Sequence, residues 1–191
     1  MCHIITAVLP KKVEKNSVQS ILNEYEMSFD PINNSFVKNQ MSDDMQYLLA
    51  TQGMCNCGTA IGSNKYSDNF DDEIKKEIKK LKKKGWSDSK MERWKADKIK
   101  SHDKVGVDNA RYSGFKKLIG GNELTHWISF FNAMINEGKT DYVGILLHWY
   151  TGGLEDEEVE IADIIKTNLN RVNEDFLKNV KEDSLYLIKR D

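Results

Sequence analysis

Ile4-Ile-Thr-Ala-Val-Leu9, closed by Pro10, is the stretch whose reading decides the fold. It is short, apolar and almost without polar alternation. Such a run reads as a strand covered on both faces, and therefore as a central one. A central strand at the start of the chain needs later strands on either side of it. Met45 to Thr51 and Tyr142 to Tyr150 supply them, the second through the buried run Val143-Gly-Ile-Leu-Leu147.

Helical spacing fills the gaps. Asn16 or Ser17 is placed to cap a first helix, in which Val18, Ile21, Leu22 and Tyr25 recur at helical intervals as one buried stripe. Phe29 to Lys38 reads as an irregular strand broken by Asp30-Pro31 and Asn33-Asn34. Asp68 or Asn69 opens a helix carrying Ile74, Ile78 and Leu81, ended by Gly85. Ser87 caps a second helix with Met91 and Trp94, and a short third is expected from Arg111 to Ile119. Asn122 caps the strongest helix, lined by Leu124, Trp127, Ile128, Phe131 and Ile135. Val159 to Lys166 suits strand or helix equally; a short helix follows from Asn173 to Val180, then a last strand from Leu185 to Ile188.

The order strand, helix, strand, strand, helices, strand is that of a ferredoxin-like split βαβ core. The expectation is an α+β fold with a mostly antiparallel sheet. It forms one domain over residues 1–191, with a large helical insertion at about 69–119 and C-terminal elements added to a sheet edge.

Composition narrows the class. The chain has 191 residues, 39% of them hydrophobic and 30% charged, enough for a core and a solvated surface. Its two prolines argue against long linkers. No secretory signal is expected, and no run approaches the about 18 apolar residues that span a bilayer. The expected setting is the cytoplasm, and the three cysteines, an odd number, fit a reducing compartment.

The unusual chemistry is Gly53-Met-Cys-Asn-Cys-Gly-Thr59, read with Met1-Cys-His3. In the expected topology the first strand is antiparallel to the third and fourth. One sheet end then collects Cys2, His3, the stretch with Cys55 and Cys57, and His148. Three thiols and an imidazole match a structural zinc site. Cys2 and His3 are strand neighbours and face opposite ways, so the expected quartet is Cys2, Cys55, Cys57 and His148, with His3 as substitute. Against this stands the ordinary role of cysteine as a small buried hydrophobe, and of histidine in an apolar strand as a satisfied core residue.

The same residues also read as nucleophiles. Removal of Met1 would leave Cys2 at the N-terminus with its own amine as base. The opening Met1-Cys2 is similar to that of class II glutamine amidotransferases, which implies a cysteine nucleophile at Cys2. The similarity covers two residues, and His3 stands where that family has glycine. A Cys57–His148 pair is the other nucleophilic arrangement, so Cys2, Cys55 and Cys57 are the candidates for a cysteine-dependent enzyme.

Other motifs fall away. Gly53 and Gly58-Thr59 have phosphate-loop spacing but lack the lysine that neutralises charge. Lys75, Lys76, Lys79, Lys80, Lys82, Lys83 and Lys84 could contact nucleic-acid phosphates, with Trp86 and Trp94 stacking on bases. Glu73 and Glu77 sit at pairing distance along the helix, so the lysines read instead as its solvated face. The acidic run Glu155-Asp-Glu-Glu158 reads as a solvated turn, or as a mimic of a nucleic-acid backbone toward a basic partner. With no recognisable cofactor motif, a compact size and segregated charge, the leading expectation is a small binding protein. It would occlude a protein partner stoichiometrically, as an immunity protein neutralises a toxin. The thiolate zinc domain and the cysteine-dependent enzyme are the alternatives.

Overall fold

A computed structural model describes residues 2–51, 56, 59–63, 74–75, 78–79, 81–82, 85–96, 123–137 and 139–190; the side chains of Cys2 and Thr51 are outside that description. The elements are β1 (Cys2–Pro10), α1 (Lys15–Glu24), β2 (Met27–Pro31), α2 (Ser35–Lys38), β3 (Met45–Thr51), α3 (Glu123–Asn136), β4 (Tyr142–Tyr150), β5 (Asp163–Asn168), α4 (Glu174–Lys178) and β6 (Ser184–Lys189). Helices and a mostly antiparallel sheet make the fold α+β.

The six strands lie in the order β2-β3-β1-β4-β6-β5. β1 is antiparallel to β3 through pairs such as Thr6↔Leu49, and to β4 through pairs from Cys2↔Tyr150 to Val8↔Gly144. β6 extends the sheet beyond β4, and β5 pairs with β6 in parallel at the edge. The parallel pair is reached by a crossover through a 3-10 turn at Leu169–Arg171 and α4. Gly144 is needed where β4 passes β1 and β6, because a Cβ there would lie 2.9 Å from both Val8 Cβ and Leu187 Cδ2.

Strand alternation divides the core in two. On the first face Ile5, Ala7, Leu48, Ala50, Val143, Ile145, Leu147, Tyr186 and Ile188 pack against α1 and α3. α1 contributes Val18, Ile21 and Leu22. α3 contributes Leu124, Trp127, Phe130, Phe131, Met134 and Ile135, with Trp127 and Phe131 rings 5.6 Å apart. Phe29 joins them edge-on to Phe130 at 5.6 Å. It reaches that position through a bulge in β2, where its φ is +49°, so burial of the ring offsets a conformation that non-glycine residues rarely adopt.

On the second face Ile4, Val8, Tyr47, Leu146, Tyr150, Leu185 and Leu187 are covered by two connections. The β2–β3 connection brings Ile32, Val37 and Met41, and the β4–β5 connection brings Leu154, Val159 and Ile161. Asn34 is fully buried between them. It accepts from Val37 N to cap α2 and donates to Leu154 O at 3.0 Å and Glu157 O at 2.9 Å. Gln40 adds a second clamp, donating to Val159 O and accepting from Ile161 N, both at 2.8 Å.

Several expectations are corrected. α1 starts at Lys15 with Glu14 at its cap position, and Ser17 donates to Glu14 O instead of capping. The irregular strand expected over Phe29 to Lys38 ends at Pro31, and Asn34 starts a helix. The stripe on α3 includes Phe130 and Met134, while Ile128 is only partly buried. Within 69–119, residues 74–75, 78–79, 81–82 and 88–96 are helical, 85–87 are described without helix, and the rest of the expected insertion, including Arg111 to Ile119, lies outside the described residues. Gly85 ends the first of these helices at φ +78°, with Trp86 N bonded to Leu81 O and Gly85 N to Lys82 O, as a Schellman end requires. Ser87 O accepts from Lys90 N and Met91 N at the start of the next.

Candidate functional site

The start of β1, the end of β4 and the start of β6 meet at one end of the sheet. In register, Cys2 is opposite Tyr150, His3 opposite Trp149 and Ile4 opposite His148. The two histidines therefore lie on opposite faces.

His3 is on the first face. Its Nε2 is 2.5 Å from Glu182 Oε1, and its ring meets Trp149 edge-on at 4.4 Å. His148 is on the second face. Its Nδ1 is 2.5 Å from Asp183 Oδ1, and its ring stands at right angles to Tyr150 at 4.6 Å. Its Nε2 is buried with no hydrogen-bond partner among the described residues. Adjacent residues, Glu182 and Asp183, thus hold one histidine on each face. Asp183 does so at φ +58°, a conformation aspartate tolerates better than most residues, with its N–H donated to Leu147 O and its carbonyl accepting from Ala162 N.

Tyr150 continues the polar chain. Its hydroxyl is 2.8 Å from that of Tyr47 in the buried second face. Burial raises the pKa of both phenols above the ordinary tyrosine value, and for Tyr150 the neighbouring Tyr47 adds to the rise.

Asn56 ties the cysteine stretch to this end. Its N–H donates to His3 O at 2.7 Å, and its Oδ1 accepts from Ile5 N at 2.9 Å. The residue between Cys55 and Cys57 is therefore bonded to the first strand. Cys55, Cys57 and the side chain of Cys2 lie outside the described residues. Among the described residues no three His, Cys, Asp or Glu groups gather as a metal site. The expected substitute His3 is engaged with Glu182 on the face away from His148. Glu182, Asp183 and Asn56 were not legible as site residues. The sequence signal for the first two is an acidic pair immediately before the last strand, and Asn56 carries none.

A second feature lies over the second face. The acidic β4–β5 connection is fastened, not free. Glu157 accepts from Thr151 Oγ1 at 2.7 Å and Gly152 N at 2.5 Å, and those bonds lower its pKa, the Thr151 hydroxyl most. Asn33 N donates to Glu155 Oε1 at 3.0 Å. Glu155, Asp156, Glu158 and Glu160 stay exposed beside α2, whose Phe36 is 41% exposed. A cavity of about 300 Å³, lined by Lys11, Pro31, Lys38, Met41, Asp43 and Tyr47 among others, is at the opposite end of the sheet from the histidines. No helix among the described residues is long and apolar enough to cross a membrane.

Comparison with protein-family models, with curated proteins and with solved structures returned no match.

Proposed function

We propose that the chain is a binding protein that occludes a basic protein partner with the ridge formed by α2 and the β4–β5 connection. The observation that carries this is the fastening of the acidic connection. A solvated turn needs no buried Asn34 and no Gln40 clamp. Here both hold the backbone of a connection that carries four exposed carboxylates, and α2, which it is bonded to, carries the exposed Phe36. Fixed charge steers a complementary partner and selects against others, and an aromatic residue supplies the apolar centre of a docked patch. Burying the exposed 41% of Phe36 would contribute about 1 kcal/mol to a complex. A toxin-like protein with a basic, nucleic-acid-binding cleft has the chemistry that fits.

The scaffold reading belongs with this proposal. The order β2-β3-β1-β4 with antiparallel neighbours supports a ferredoxin-like split βαβ core, extended at one edge by β6 and β5.

The test is affinity capture from source cells with wild-type protein and with the Phe36→Ala, Glu158→Lys double variant, followed by reconstitution with the purified partner. The expected result is a one-to-one complex with a basic protein that the variant binds at least tenfold more weakly. A partner bound equally by both would refute the ridge.

A further inference from the structure

We propose that the chain forms a two-fold dimer through the outer edge of β5, which pairs antiparallel with β5 of a second copy and joins two six-stranded sheets into one. The two edges of the sheet are unlike. β2 is guarded. It is bulged between Met27 and Asp30, holds Phe29 at φ +49° and ends in Pro31, which has no N–H to donate. β5 has none of these devices. Its pairing with β6 runs without a break from Asp163↔Ser184 to Asn168↔Lys189. In such a ladder alternate backbone groups point away from the neighbouring strand. Among the described residues, Asp163 to Thr167 make no backbone hydrogen bond beyond those to β6. A row of unpaired backbone groups is a template for another strand. Ile164, on this same strand, is 46% exposed.

The residues of β5 select the strand that fits. Ile164 and Lys166 stand on the second face, in register with Leu185 and Leu187, and Ile165 stands on the first, in register with Tyr186. A two-fold axis that continues the sheet keeps each face on its own side. Each residue then lies opposite residues of its own face only. Two registers meet that condition and use the strand except for one end residue. The first is centred on Lys166 and leaves out Asp163. It sets Lys166 directly against Lys166 of the second copy, a destabilising like-charge pair. The second is centred on Ile165 and leaves out Asn168. It sets Ile165 against Ile165 and, twice over, Ile164 against the methylene stem of Lys166 and Asp163 against the hydroxyl of Thr167. Lys166 thus rejects the first register and covers the exposed Ile164 in the second. The strand complements its own reverse, so a second copy is the occupant that this edge fits.

The test is analytical ultracentrifugation of the untagged full chain over a range of concentrations. The expected result is a monomer–dimer equilibrium, with a species of twice the chain mass at high concentration. Ile164→Lys sets like charges opposite each other at two points of the pair, and should weaken the dimer by about tenfold or more. Adding Lys166→Glu to Ile164→Lys turns both points into opposite charges and should restore the dimer. Ile164 and Lys166 are exposed, so both variants should keep the wild-type circular dichroism. Phe36→Ala, on the ridge, should dimerise as wild type does, which separates this interface from the ridge. Monomeric wild-type protein at every concentration would overturn the proposal. So would a dimer that Ile164→Lys leaves intact, or one that the added Lys166→Glu does not restore. A monomer whose capture of a different protein is lost in Ile164→Lys would overturn it in favour of a strand from that protein.

Discussion

Asn34 is the residue on which the second face depends. Its side chain makes three hydrogen bonds while fully buried, one as a helix cap and two to the acidic connection. Asn34→Ala removes the cap, worth about 1 kcal/mol, and strands two carbonyls at a further cost of about 1–3 kcal/mol. Asn34→Asp keeps the cap acceptor but sets a buried carboxylate against those two carbonyl oxygens, so it should lose at least as much as Asn34→Ala in chemical denaturation. Two glycines provide a second contrast. Gly62 and Gly85 both have positive φ, +72° and +78°. A Cβ on Gly85 meets nothing within 4 Å, whereas on Gly62 it would lie 2.9 Å from Val180 O and 2.8 Å from Leu147 Cδ2. Gly85→Ala should cost only the left-handed penalty of about 1–2 kcal/mol. Gly62→Ala should cost about 1–3 kcal/mol beyond that, because the backbone of Val180 cannot move aside cheaply. Equal losses for the two variants in thermal denaturation would contradict the packing at Gly62.

Among the elements, β1 was the most legible. An apolar run buried on both faces has few alternatives, and its partners β3 and β4 carry the same signature. α2 was not legible, because its four residues, Ser35–Lys38, bury only Val37 and so show no helical period. The tertiary bonds of Asn34 decide that stretch, and they come from residues about 120 positions away. The second-face strands also carry a pH signature. Tyr47 and Tyr150 are held above their ordinary pKa by burial, and Tyr142 is pushed up to about 12, again chiefly by burial. A raised folded-state value means stability that is fully present below the unfolded value near pH 10 and lost as pH rises through the folded one. The denaturation midpoint should therefore drop above about pH 10. The Tyr47→Phe, Tyr150→Phe double variant should show a shallower drop, with Tyr142 and Tyr25, whose pKa burial also raises, contributing to the remainder. An identical slope would show that this pair does not set the alkaline limit.

At the scale of the whole molecule, the sheet end could be read from antiparallel pairing of the first strand alone. That pairing puts His3 and His148 in adjacent rows but on opposite faces, which the alternation of strands requires. The carboxylates that hold them come from a turn before β6, and no local pattern announces a turn that acts across strands. The acidic ridge was legible as charge and not as structure, since its fastening depends on residues in the β2–β3 connection. If the ridge binds a basic partner, the reconstituted complex should weaken steeply as ionic strength rises, and Glu155→Lys should slow association more than it speeds dissociation.

The ridge depends on the acidic connection being held in place, and amide hydrogen exchange measures that without any partner. Glu157 N is bonded to Gly153 O, Ile161 N to Gln40 Oε1 and Val37 N to Asn34 Oδ1. These three amides should exchange slowly and as one unit, and Asn34→Ala should release them together. Exchange of Glu157 and Ile161 at the rate of unstructured peptide, while β4 stays protected, would contradict the account and return the ridge to a solvated turn.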